Sequence, residues 1–112
     1  MQELNTTALA KNTSTPSLAI AVFGKLAVAY IGDLNGETIT MEGSVDGGSN
    51  WDTLYPGDSA STAETYTNSA DSIRTRLFYL PPGMEVRWTM SNGAGTPANV
   101  YVLYGGEAGI PR

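Results

Sequence analysis

The chain has 112 residues, a net charge of −5, and neither cysteine nor histidine. Without those two residue types there can be no disulfides, Ser-His-Asp triads, Cys–His nucleophile–base pairs or zinc sites built on Cys or His; carboxylate sites for calcium or magnesium remain possible. Only six Lys and Arg stand against eleven Asp and Glu, a balance that argues against nucleic-acid partners and against anionic lipid.

In chain order, residues 1–17 come first as a distinct zone. They are rich in Thr, Ser and Asn, carry few apolar points and close at Pro16. The composition predicts an extended arm rather than core. Met1-Gln2-Glu3-Leu4-Asn5 lacks the basic start and apolar run of a secretory signal, and no stretch reaches membrane-spanning length. From residue 18 the strands begin. Leu18-Ala19-Ile20-Ala21-Val22-Phe23 ends at Gly24, and Leu26-Ala27-Val28-Ala29-Tyr30-Ile31 ends at Gly32-Asp33. Helix competes here because of the alanines; Gly24 and the Val, Ile and Phe content favour strands. Asn35-Gly36 marks the next turn.

Residues 37–45 alternate polar and apolar positions, which predicts a strand with one wet and one dry face. Ile39, Met41 and Val45 fall on the dry face. Asp46-Gly47-Gly48 tolerates the positive φ of a hairpin turn, and a short strand follows from Trp51 to Tyr55. Residues 58–70 read as a long loop or a weak edge strand around Thr65-Tyr66-Thr67. In the strand over 72–80, Arg74, Arg76, Phe78 and Leu80 share one side, with Ile73, Thr75, Leu77 and Tyr79 on the other. Pro81-Pro82-Gly83 stops it. Met84, Val86, Trp88 and Met90 then alternate with Glu85, Arg87, Thr89 and Ser91 in the clearest core strand. A Gly-rich turn at 92–97 leads to the last strand, over 100–104. About seven or eight short strands with no amphipathic helix predict an antiparallel β-sandwich or jelly roll.

The candidate sites are few. Asp46, Asp52 and Asp58 lie near turns without any diagnostic pairing, so turn formation explains them better than calcium binding or glycosidase chemistry. Trp51, Tyr55, Tyr66, Trp88, Tyr101 and Tyr104 could line a sugar-binding face. The alternation around Trp88 places that residue in the core, whereas Trp51 beside its turn suits core or interface. Arg74, Arg76 and Arg87, on neighbouring predicted strands, fit pairing with Glu42, Glu64 or Glu85, or a subunit contact, better than an anion site.

Three segments in order carry a resemblance: Gly43-Ser44-Val45-Asp46-Gly47-Gly48-Ser49-Asn50-Trp51-Asp52-Thr53-Leu54, then Leu80-Pro81-Pro82-Gly83-Met84-Glu85-Val86-Arg87-Trp88, then Ser91-Asn92-Gly93-Ala94-Gly95-Thr96. Over residues 38–104 the chain resembles small tailed-phage virion proteins, especially capsid decoration (cement) proteins. Similar motifs occur in phage tail and receptor-binding sandwiches. The resemblance implies a single jelly-roll-like antiparallel β-sandwich over residues 18–112 with an extended arm over 1–17. It implies a homotrimer bound to the major capsid protein on the outer surface of the virion. No enzymatic activity and no cofactor follow from it, nor any nucleic-acid or membrane partner. By position and composition, the arm that would hold the shell includes Leu4, Thr6, Thr7, Leu9, Lys11, Thr13 and Pro16. Trp51, Tyr55, Arg74, Arg76 and Arg87 are expected at the subunit interface. The alternative is a tail or receptor-binding module that binds carbohydrate through Trp51 and Tyr55. A hydrolase using two carboxylates ranks last, because no paired acids can be named.

Overall fold

The computed structural model describes residues 5–20, 24–55, 63–68, 70 and 72–106. Every regular element among them is a strand: β1 (Asn5–Ala8), β2 (Leu18–Ala19), β3 (Lys25–Asp33), β4 (Ile39–Ser44), β5 (Asp52–Thr53), β6 (Thr65–Tyr66), β7 (Ile73–Tyr79), β8 (Glu85–Met90) and β9 (Ala98–Gly106). One sheet has the order β1-β9-β3-β7. The other has β2-β8-β4-β5, with β6 also pairing β4. All pairs are antiparallel. The result is a sandwich-like all-β structure, as the alternation and turn spacing require.

The chain changes sheet at most of its connections. The Asn35-Gly36 turn carries it from β3 in one sheet to β4 in the other. Both residues take positive φ, 45° and 99°, the conformation for which Asn and Gly are suited. The connection from β4 to β5 is the expected hairpin, with Gly43 opposite Asp52 and Gly47 and Gly48 at positive φ.

The core lies between the sheets. Leu26, Val28 and Tyr30 of β3 and Val100, Val102 and Tyr104 of β9 meet Ile39 and Met41 of β4 and Val86, Trp88 and Met90 of β8. Trp88 is fully buried, as its alternation predicts.

Several expectations are corrected. Residues 5–17 do not stand apart from the domain. β1 pairs β9 in register from Asn5↔Tyr104 to Ala8↔Tyr101. Beyond it, Asn12 N donates to Met90 O at 3.1 Å, Thr15 N to Trp88 O at 2.9 Å, and Met90 N to Thr13 O at 3.0 Å. Leu9 and Thr15 are buried. A sheet edge offers backbone partners to any sequence, so a polar stretch with one apolar anchor can join it; composition alone reads such a stretch as an arm. Val45 is 88% exposed because β4 ends at Ser44 and the alternation no longer applies. Of the strand expected over 18–23, β2 covers Leu18–Ala19, and residues 21–23 lie outside the described set. Finally, Arg74 and Arg76 do not neighbour Arg87: β7 and β8 belong to opposite sheets.

Candidate interaction surface

The two outer faces of the sandwich differ in chemistry. On the β2-β8-β4-β5 sheet the outward positions are polar. Glu42 accepts from Arg87 Nε at 2.8 Å, and the Arg87 guanidinium lies 4.3 Å from the Trp51 ring centroid. The β1-β9-β3-β7 sheet instead turns apolar side chains outward. Ile73, Leu77 and Tyr79 are 68%, 53% and 72% exposed, and Tyr101 is 38% exposed. The pleat explains this. Phe78 of β7 is buried, and Arg76 and the exposed Arg74 share its side, opposite buried Val28 and Tyr30 of β3, so the alternate positions face solvent.

The strand register makes the exposed side chains one surface. Ile31 of β3 pairs Ile73 of β7 on one side and Tyr101 of β9 on the other; Ala29 pairs Thr75 and Leu103; Ala27 pairs Leu77 and Gly105; Lys25 pairs Tyr79. A bulge at Gly32, with φ of 117°, opens a shallow depression beside Ile31, Ile73, Asn99 and Tyr101. A Cβ on Gly32 would collide with the Asn99 backbone. An apolar face of this extent is at the upper end of what monomeric soluble proteins leave in water, and such faces are often contact sites.

The structure disperses the residues expected at a subunit interface. Trp51 and Arg87 lie together over the polar sheet, and the guanidinium occupies one face of the indole, a poor arrangement for a sugar platform. Tyr55, half exposed, follows β5. Arg76 sits 3.3 Å from buried Glu64, and Arg74 Nη1 donates to Thr65 O at 2.9 Å. Both arginines therefore tie the β7 edge to the β6 segment of the opposite sheet. Of the arm residues, Thr6 and Thr7 lie in β1, opposite Leu103 and Val102. Leu9 is in the core. Lys11 Nζ donates to Gly93 O and Gly95 O, both at 2.9 Å, and the Thr13 hydroxyl bonds Ala10 O at 2.5 Å. Pro16 is exposed, and Leu4 lies outside the described residues, as does Asp58. Of the aromatics weighed for a sugar face, Tyr66, Trp88 and Tyr104 are buried.

Two carboxylates that sequence reasoning left without a partner, or did not name, act as clamps. Buried Glu37 accepts from the Ser91 hydroxyl and the Gly93 and Gly95 amides, each at 2.7 Å. These bonds, the Ser91 hydroxyl foremost, hold its carboxyl below the usual range. Asp46 accepts from Asn50 Nδ2 at 2.7 Å, and from Asn50 N at 2.9 Å and the Ser44 hydroxyl at 2.8 Å. Its pKa falls to about 2, the Asn50 side chain being the main cause. Both use up their acceptor capacity on neighbouring loops, which suits them to fixing turns rather than to proton transfer. Among the described residues no three Asp or Glu groups gather at metal-binding distance. The apolar face was missed because the 72–80 segment shows two sides of similar apolar content. Alternation reveals the sides but not which one is inward.

No protein-family model matches this chain, and no curated protein or solved structure is detectably similar to it.

Proposed function

We propose that this protein is a non-enzymatic structural component of a phage particle that decorates the outer surface of the capsid and reinforces it. The observation that carries the reading is the apolar outer face of the β1-β9-β3-β7 sheet: the protein presents a surface built to be covered, and that is the equipment of an assembly component. The resemblance of residues 38–104 to capsid decoration proteins supplies the setting. We further propose that the sandwich is a jelly roll. With β5 and β6 counted as one broken strand, the sheet orders become 1-8-3-6 and 2-7-4-5 along an eight-strand chain, the pattern that two interlocked Greek keys produce.

On a repeating shell, a weak contact gains strength when linked copies bind together. The test is co-sedimentation of the purified protein with emptied phage heads. Saturable binding is the expected result. Failure of the unaltered protein to sediment with heads would overturn the decoration role.

A further inference from the structure

We infer that the outer face of the β1-β9-β3-β7 sheet packs against the same face of a second copy of this chain, about a two-fold axis lying between the sheets and perpendicular to their strands. The inference rests on reading that face as an assembly surface, and it names the occupant.

Side-chain sizes follow an order along the face. Four rows cross the sheet, led on β7 by Ile73, Thr75, Leu77 and Tyr79 and fixed by the pairing of β7 with β3. A two-fold between the second and third rows sets each strand over its own counterpart, reversed. Leu77 then faces Thr75 of the other copy, and Leu103 faces Gly105. Ala29 faces Ala27, so the centre closes on small residues. Tyr79, the most exposed of the four named aromatic and aliphatic side chains, falls over Ile73 beside the depression at the Gly32 bulge. In the two middle rows larger positions meet smaller ones, as when two sheet faces interdigitate at a spacing of about 10 Å, while at the ends Tyr79 meets Ile73 and Lys25 meets Ile31. The same chain supplies both halves, so the complementarity is of the isologous kind that a two-fold demands.

Area and charge agree with this occupant. The exposed fractions of Ile73, Leu77, Tyr79 and Tyr101, with the half-buried Ile31 and Leu103, correspond to roughly 600 Å² of surface, the upper end for a typical monomer's largest apolar patch. Two copies would bury on the order of 1,200 Å², the lower bound of stable specific interfaces. Among the described residues of the four rows the only ionisable group besides tyrosine is Lys25. The face therefore carries no charge pattern to select an unlike partner, and pairing does not press the chain's excess acids together. Edge-to-edge pairing through β7 is the competing geometry. Arg74 and Arg76 on the interior side of that edge oppose it, since inward-pointing charges blunt edge strands.

The experiment is mass by light scattering across a dilution series, with Leu77→Arg on the face and Val45→Arg on the exposed turn as its control. The expected result is twice the monomer mass for the unaltered chain and for Val45→Arg. Leu77→Arg should dimerise on the order of thirtyfold more weakly, because it sets a charge against the apolar face of the other copy, with an unchanged circular dichroism spectrum. Tyr79→Ser, which only trims an exposed ring, should weaken the dimer in the same direction. Dimerisation should also be insensitive to salt, because no ion pair forms it. A trimer, a strict monomer, or a dimer indifferent to both face variants would overturn the inference. Head binding separates the two readings. A dimer that ignores heads removes the decoration role and leaves the interface standing. A monomer that binds heads through Leu77 does the reverse.

Discussion

The Trp88 indole Nε1 donates to the Tyr30 hydroxyl at 3.1 Å, across the core from one sheet to the other. Tyr30 also stacks on Tyr66 of the far sheet, with centroids 5.3 Å apart, while Trp88 lies against Tyr104 of the near one at 4.8 Å. The sheets are thus joined by an interlocked set of rings with a polar bond at its centre. Tyr30→Phe keeps the ring and strands the indole N–H in a dry interior. It should cost about 1–3 kcal/mol in urea unfolding, the penalty for one buried unpaired donor. A neutral result would mean that the bond is not made in solution.

The same hydroxyl predicts an alkaline limit to stability. Burial first, then the charge of Glu64, push Tyr30 far above its ordinary value of 10.0. The unfolded chain ionises this phenol near 10.0 while the folded chain keeps its proton. The contribution is therefore complete below pH 10 and is lost as the pH rises beyond it. Unfolding free energy measured through and above that pH should fall more steeply for the unaltered protein than for Tyr30→Phe. Parallel curves would refute the assignment.

Glu37 sets the opposite limit. Its pKa is lowered by the Ser91 hydroxyl and the Gly93 and Gly95 amides. A depressed carboxyl contributes stability that is present above its ordinary value of 4.5 and lost as the pH falls through the folded value. Glu37→Gln turns an amide NH₂ against backbone N–H donors, so it should be less stable at neutral pH and less sensitive to acid. Hydrogen exchange in the 91–97 loop should quicken in this variant, because the clamp on that loop is gone. Unaltered exchange there would show that the loop is held by other means.

The polar outer face should be far more tolerant. Arg87→Ala removes the pair with Glu42 and the contact with Trp51, and all three side chains are partly solvated. Such a pair contributes about 0–1 kcal/mol. Denaturant unfolding should show a loss of that order, along with a change in Trp51 fluorescence. A loss several times larger would mean that the cation–aromatic stack supports the β4–β8 pairing itself.

What could be read from the sequence was whatever period two and turn chemistry dictate. The buried alternation of Val86, Trp88 and Met90 and the Asn35-Gly36 and Gly47-Gly48 turns appear where the residues require them. The side of β7 that faces inward could not be read. Arg74 and Arg76 accompany Phe78 toward the interior because β7 is an edge strand and the charges emerge at that edge to meet Glu64 and Thr65 O. Leu77 and Tyr79 are outward as a consequence, and the candidate interaction surface follows from a tertiary fact that no local pattern contains. Glu37 was invisible for a similar reason: its partners lie 54 to 58 residues away.

The first seventeen residues give the sharpest test of where sequence and structure part. An independent arm could be removed without harm to the domain. Here β1 covers the β9 edge, Leu9 fills the core, and Thr15 Oγ1 accepts from Trp88 N at 3.0 Å beneath β8. Leu9→Ala should therefore cost about 2–4 kcal/mol, the range for a buried leucine that leaves a cavity. Removing residues 1–17 should expose the β9 ladder and give a protein that unfolds at much lower urea concentration or aggregates through the freed edge. Any loss of head binding by such a truncation would then reflect loss of the fold. The discriminating variant is Lys11→Met, which releases the segment from the Gly93 and Gly95 carbonyls while leaving Leu9 and the β1 ladder in place. If head binding drops with Lys11→Met at unchanged stability, the segment touches the shell directly. If binding follows stability across Leu9→Ala, Lys11→Met and the truncation, the segment serves only to complete the sheet.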